Sequence, residues 1–344
     1  MLSSKSLEEH VLLAPLTTMK VGGSADFMVK AKSENEVKEA CDFATKGRIP
    51  IFVLGEGSNI VVSDEPIHRL VIKVEIMGVT KESETKDKVV LKIGAGEHWD
   101  SVVRRTVELG LSGVEAMSMI PGTAGAAPVQ NAGAYGEEIK DTFVELTAYD
   151  IPRQEFVRMN KEDCEFEYRS SIFKTSAIGR YVITSVTLEL SKKQPKQPTY
   201  ESLKKYLDQN HIENPDVRQI RDGVMEVRRR ILPDPSVVPS CGSFFKSPIV
   251  SAAKLKEIEK QYKKVPSYPY DGKFKIAAGW LVEQCGFKGS EHFGLKVWES
   301  HALVITNPNH ATSDQLLQMV RLITDSVNER FGIVLEPEPQ FISS

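Results

Sequence analysis

At 344 residues the chain is longer than one ordinary core and suits two or three domains. Its 41% apolar residues supply real cores, and a formal net charge of -3 provides no global basic field for nucleic acid or an anionic membrane. No apolar run approaches the roughly 20 residues that span a bilayer, and Glu8, Glu9 and His10 stand where a signal peptide needs continuous apolar residues.

The cysteines, Cys41, Cys164, Cys241 and Cys285, are scattered and form no CxxC pair, and the histidines are dispersed. The expectation is therefore a cytoplasmic protein with no disulfide framework, no metal site, and no nucleic-acid or membrane partner.

Over residues 34–46, Val37, Ala40, Cys41 and Ala44 recur on one helical face, and Gly47 stands where a helix stops. Ile51–Leu54 reads as a buried strand, the next five residues as a tight glycine loop, and Ile60–Val62 as a second strand. Residues 81–88 are polar enough to predict an exposed turn before a strand at 89–93, and a helix follows at 99–109.

The stretch IPGTAGAAPVQNAGAYG (120–136) has too many glycines for a helix and too few charges for a disordered linker, so its backbone is expected to lie tight against something. Strands are predicted at 143–149 and 181–190. Residues 192–198 and 232–235 are proline-marked breaks, the first a hinge or excursion. Beyond them a smaller α+β unit is predicted, with helices at 251–263 and 276–285 and a strand at 302–306. A long helix capped by Ser313 carries Leu316, Leu317, Val320, Ile323 and Val327 inward; Gly332 and a terminal strand at 333–342 follow.

The loop LGEGSN, made of Leu54, Gly55, Glu56, Gly57, Ser58 and Asn59, offers closely spaced main-chain N–H groups to an anion; a plain turn is the alternative. It is not GxGxxG, and neither is GAGEHW (94–99), so a Rossmann dinucleotide site has no support. Eight motifs read in order change the picture: TTMKVGG (17–23), LGEGSN, GAGEHW, the 120–136 stretch, YRSSIFK (168–174), GSFFK (242–246), AAGWLVEQCGFKG (277–289) and LEPE (335–338). Together they closely resemble the UDP-N-acetylenolpyruvoylglucosamine reductase (UDP-N-acetylmuramate dehydrogenase) family, from about residue 12 to residue 342.

The resemblance implies an α+β fold: a two-part FAD-binding domain of the vanillyl-alcohol-oxidase type plus a C-terminal α+β substrate-binding domain. The expected parts are residues 1–77 with the C-terminal strand 333–344, residues 78–232 including an excursion at 192–230, and residues 233–332. It also implies that NADPH, as co-substrate, reduces FAD. UDP-N-acetylglucosamine enolpyruvate then receives a hydride from flavin N5 at its vinyl carbon and becomes UDP-N-acetylmuramate, a peptidoglycan precursor. The partner is a UDP-sugar small molecule, and a monomer is expected.

Within that resemblance the 54–59 loop holds the FAD diphosphate. Pro121, Gly122, Gly125, Ala126, Asn131, Gly133, Ala134 and Tyr135 run along the flavin, with Arg169 beside it. Neither the 54–59 loop nor the 120–136 stretch contains a histidine, so non-covalent FAD is expected. Ser243 matches the proton donor to the carbon next to the carboxylate. Arg169 and Glu336 match the pair at that carboxylate, a role that suits the permanent charge and fork geometry of arginine. Read without the family, these three are a turn or cap serine, a surface ion pair and a strand-edge carboxylate.

Tyr168, Tyr200, Lys246 and Ser247 are the implied substrate contacts. Tyr168 is positional. Tyr135 reads equally as core packing, and Tyr200, in PTYESL, either folds over the substrate diphosphate, as in one branch of the family, or is an exposed loop tyrosine.

Four positions depart from the family pattern. Ile231 replaces a lysine before LPDP, Ser247 replaces an asparagine, and Glu338-Pro339-Gln340 replaces Glu-Val-Arg. An isoleucine cannot donate to phosphate; Lys246 or the run Arg228-Arg229-Arg230 would compensate, that run reading otherwise as a solvated helix face. Two other readings compete: a flavin oxidase of the same superfamily, which GSFFK and LEPE oppose, and a binding protein, which the intact Arg169, Ser243 and Glu336 oppose.

Overall fold

The computed structural model describes residues 7–343. The chain folds as two compact units. The first comprises residues up to Val11, Ala25–Glu56 and His68–Arg229; the second comprises Leu12–Ser24, Gly57–Ile67 and the residues from Arg230 onward.

In the first unit, helix α1 (Glu34–Gly47) starts where the Ser33 hydroxyl accepts the Glu36 N–H. It buries the expected Val37, Ala40, Cys41 and Ala44. Gly47 is its last helical residue, and Arg48, at φ 54°, makes the left-handed turn that ends it. A four-stranded sheet runs in the order Leu7–Leu12, Ser24–Ala31, Ile67–Val74, Ile51–Leu54, the last two paired in parallel.

A five-stranded sheet follows in the order Glu155–Asn160, Phe143–Asp150, Tyr181–Ser191, Lys88–Gly94, Val79–Glu84. Its central strand Tyr181–Ser191 is buried along most of its length, as a strand covered on both faces must be. Here the expected polar turn is corrected: residues 81–84 belong to the outer strand. Charges along an exposed sheet edge discourage further pairing, and in sequence they look like a turn. Helix α2 (Trp99–Glu108) buries Trp99, Val102, Val103 and Val107, and the indole N–H donates to Met117 O at 3.2 Å.

The excursion holds two helices, α3 (Glu201–Gln209) and α4 (Val217–Ile231). Arg228 is not on a solvated face: its Nε is buried, while Arg229 and Arg230 are exposed.

The second unit contains a four-stranded sheet in the order Ser240–Ser243, Val304–Thr306, Leu295–Val297, Glu291–His292, and a three-stranded one of Ile249–Val250, Lys273–Ile276 and Ser267–Tyr270. Helices α5 (Ala252–Glu259), α6 (Ala278–Gln284) and α7 (Ser313–Phe331) complete it, with Leu316, Met319, Val320, Ile323, Val327 and Phe331 of α7 in one core with Phe244, Phe245, Leu281 and Leu335.

Thr312, not Ser313, caps α7, in a reciprocal capping box with Gln315. Ser313 is the first helical residue, and its hydroxyl accepts from Asp64 N–H. The terminal strand is shorter than expected, Gln340–Ile342, paired in parallel with Ile60–Val62. Pro337 and Pro339 have no N–H to give a ladder, which breaks the run that begins at 333.

Candidate active site

Three glycine-rich segments, distant in sequence, meet in the first unit. Ala124 N–H donates to Glu97 O at 2.8 Å, Gly125 N–H to Ala95 O at 2.9 Å, and Trp99 N–H to Gly122 O at 2.9 Å, so GAGEHW and the start of the 120–136 stretch are zipped together. A Cβ on Gly125 would fall 2.6 Å from Ala95 Cβ, and one on Gly55 would fall 2.9 Å from Thr123 Oγ1. The expected tight backbone is thus tight against its own chain.

The Glu56 carboxylate joins the third segment, accepting from Gly122 N–H at 2.9 Å and facing His98 Nε2. Burial pushes the Glu56 carboxyl up, while His98 and the Gly122 N–H pull it back. His98 was missed in the sequence, where nothing links it to a loop 42 residues earlier. Pro121 and Ala126 are exposed and Gly122 is buried at φ 121°.

The other half of the LGEGSN loop belongs to the second unit. Gly57, at φ 65°, has room for no side chain, since a Cβ would lie 2.3 Å from Leu16 O. Gly57 O accepts from Thr18 N–H at 3.1 Å, and Asn59 Nδ2 donates to Glu338 O at 3.4 Å. Ser58 is half-buried.

The far end of the 120–136 stretch turns on Asn131, fully buried in the left-handed region. Its amide donates to Glu138 Oε2 and Glu167 O and accepts from Lys140 N–H. Asn131 therefore shapes the loop from within. Arg169 donates to Gly133 O and reaches Asn131 O at 3.5 Å, with its guanidinium 5.6 Å from the centre of the Tyr168 ring. Gly133, Ala134 and Tyr135 are half-buried, and Tyr135 meets Tyr200 edge to face at 5.2 Å.

Within the second unit, GSFFK is paired with LEPE. Glu338 N–H donates to Phe244 O at 2.8 Å and Lys246 N–H to Glu336 O at 2.9 Å, with Phe245 opposite Pro337. Gly242 takes φ 75°, Ser243 ends its strand opposite Val304, and the buried Phe244 and Phe245 anchor the backbone next to it. Lys246 is ion-paired with Glu336, and the Ser247 hydroxyl accepts from Ala278 N–H at 3.4 Å. Burial pushes the Cys241 thiol up to about 12, as it does those of Cys41 and Cys164, so none is a reactive thiolate at neutral pH.

Among the described residues no group of three or more His, Cys, Asp or Glu could hold a metal ion, and no helix is long and apolar enough to cross a membrane.

The family profile described as an FAD binding domain matches residues 25–160, which carry most of these glycine segments. The class is therefore an FAD-dependent oxidoreductase of α+β fold, with a separate C-terminal domain. That domain, residues 234–342, matches the profile of the UDP-N-acetylenolpyruvoylglucosamine reductase C-terminal domain.

A UDP-N-acetylenolpyruvoylglucosamine reductase from Ralstonia nicotianae is 40% identical over 340 residues, 98% of this chain and 99% of the relative. One from Pseudomonas syringae pv. tomato is 39% identical, covering 97% and 98%. The crystal structure of a reductase of the same name from Thermus caldophilus shares the fold, with a TM-score of 0.68 at 24% identity over 97% of this chain and 98% of that one. The chain belongs to the UDP-N-acetylenolpyruvoylglucosamine reductase family, whose members use FAD and NADPH and act on a UDP-sugar in peptidoglycan synthesis.

Proposed function

We propose that this chain reduces UDP-N-acetylglucosamine enolpyruvate to UDP-N-acetylmuramate, with Ser243 as proton donor and Arg169 and Glu336 at the substrate carboxylate. The observation that carries the reading is the main-chain pairing of GSFFK with LEPE, which fixes the backbone of Ser243 and Glu336 in one small assembly. The glycine segments support a dinucleotide site: Gly55 and Gly125 let the loops pack against one another at Thr123 and Ala95, and Ser58 and Asn59 follow Gly55 in the same loop.

FAD, when bound, would supply the hydride chemistry, with NADPH as its reductant. The rest is the work of the chain. Arg169 holds the carboxylate by its fork, Glu336 polarises the enol ether, and Ser243 delivers a proton to the adjacent carbon. Leu54–Asn59 and the residues Pro121, Gly122, Gly125, Ala126, Gly133, Ala134 and Tyr135 hold the cofactor, with Asn131 shaping their loop. Tyr168, Tyr200, Lys246 and Ser247 face the sugar nucleotide.

This reading assigns residues 1–77 with 333–344, and 78–232, to the flavin, and residues 233–332 to the substrate. It takes the protein to be a cytoplasmic monomer.

The test separates the half-reactions. Ser243→Ala should leave bleaching of the flavin by NADPH intact and slow its reoxidation by the enolpyruvyl sugar by orders of magnitude; equal reoxidation rates would remove Ser243 from the chemistry. FAD is taken to be non-covalent although His98 adjoins the loop. Acid precipitation should therefore release all the yellow colour, and colour retained in the pellet would contradict this.

A further inference from the structure

Helices α3 and α4 form a hairpin packed with no room to spare. A Cβ on Gly223 of α4 would fall 2.8 Å from both Leu203 Cδ1 and Tyr206 Cδ1. Leu203, Leu207, Ile220 and Val224 bury a small core with Ala116, flanked by Tyr135 and Tyr206. Tyr200 stands at the start of α3, half exposed, with its ring edge-on to Tyr135 at 5.2 Å and 77°. Tyr135 itself sits at φ 51°, a left-handed conformation that costs a residue with a side chain about 1–2 kcal/mol. Something must hold it there.

That contact is Arg228. Its guanidinium hydrogen-bonds the Tyr135 phenol and donates to Met119 O at 3.1 Å, so it bridges the two ends of the 120–136 stretch. Its Nε is buried with no hydrogen-bond partner. The acid whose charge acts on it, Asp100, is already bidentate to Arg221 at 2.7 and 2.9 Å. A leucine or methionine would fill this position on the buried face of α4 without desolvating a charge. As a purely structural element Arg228 is a poor choice, which points to work done through Tyr135.

We propose that Arg228 is a positioning residue for the sugar nucleotide: by fixing the Tyr135 phenol it sets the ring of Tyr200, and with it the start of α3, in the orientation that meets the substrate. This rests on the reading of Tyr200 as a substrate contact. Arg228 touches neither flavin nor substrate in this scheme, so its removal should change substrate affinity and leave the chemical step alone.

The experiment follows reoxidation of dithionite-reduced holoenzyme across a range of enolpyruvyl-sugar concentrations. Arg228→Met should raise the half-saturating concentration by about ten-fold, the scale of one charge-assisted hydrogen bond, and hold the limiting rate within about two-fold, and Tyr135→Phe and Tyr200→Ala should each raise the half-saturating concentration to a similar extent. The double variant Arg228→Met with Tyr200→Ala should be no worse than Tyr200→Ala alone.

If Tyr200→Ala weakens binding while the other two do not, the inference is wrong and the reading of Tyr200 stands. If the double variant multiplies the two effects, Arg228 acts independently and the inference is again wrong. If Tyr200→Ala changes nothing, the reading of Tyr200 and the inference fall together. Should Arg228→Met not fold, Tyr135→Phe, which removes one oxygen, carries the same test.

Discussion

Lys246 and Glu336 are ion-paired, and the Lys246 N–H also donates to Glu336 O at 2.9 Å. The sequence assigned the lysine to substrate binding and the glutamate to the carboxylate chemistry; the fold gives each the other as a partner. The Glu336 side chain is 69% exposed against 14% for Lys246, so in water the pair contributes at most about 1 kcal/mol to stability. Under a bound substrate the same lysine would neutralise Glu336 beside a second carboxylate. Lys246→Met should shift Tm by less than about 4 °C but lower kcat/KM by roughly ten- to a hundred-fold, and Lys246→Arg should recover most of the loss. Steady-state kinetics beside thermal melts check this: a large fall in Tm with an unchanged KM would make the lysine structural.

What sequence reading caught and missed follows from locality. The inner faces of α1 and α7 repeat at the helical period, so Val37, Ala40, Cys41 and Ala44 were legible, as were Leu316, Val320, Ile323 and Val327. Helix α4 was not, because Arg221 and Arg228 face inward and interrupt the apolar stripe that marks a buried face. The outer strand Val79–Glu84 was hidden by its charges. At the site, glycine spacing announced each loop by itself, but the Glu56 bond that ties Gly122 and His98 together joins residues far apart and leaves no periodic trace. Likewise nothing in GSFFK or LEPE alone foretells that Lys246 meets Glu336.

A pH effect on stability follows from Glu115 and Glu137. Glu115 Oε2 accepts from Gly113 and Val114 N–H while Oε1 is buried without a partner, and Glu137 Oε2 accepts from Ala116 N–H at 3.1 Å. Burial first, then the neighbouring Glu115 and Asp141, push the Glu137 carboxyl up to about 8 against the opposing pull of the Ala116 N–H and, less, of Lys196. The ordinary value, taken for the unfolded chain, is 4.5. Between those two values the unfolded chain has released this proton and the folded chain keeps it, so this group's contribution to stability declines as pH rises through the window and levels off above it. Glu137→Gln keeps the carbonyl acceptor and removes the titration. It should flatten the fall in Tm across that window and raise Tm at its alkaline end. Parallel melts of variant and parent that fall equally with pH would assign the slope to other groups.

The strongest test of the departures from the family pattern is Ile231→Lys. Two of the residues that the sequence offers as substitutes for the absent lysine are engaged in the protein, Lys246 with Glu336 and Arg228 with Met119 and Tyr135, while Arg229 and Arg230 are exposed. Ile231 is half-buried and ends α4, where a lysine is at least as good a helix former and its charge suits the C-terminal end of the helix dipole. The replacement should therefore fold as well as the parent and add a cation for the substrate diphosphate. KM for the enolpyruvyl sugar should drop by roughly five- to ten-fold at low ionic strength, and the gain should shrink as salt screens an exposed charge. With kcat unchanged, that pattern identifies binding shared by ground and transition states. A KM that stays put or rises would mean that this chain already satisfies the diphosphate through other groups, and that the isoleucine is an accommodated change and not a deficit.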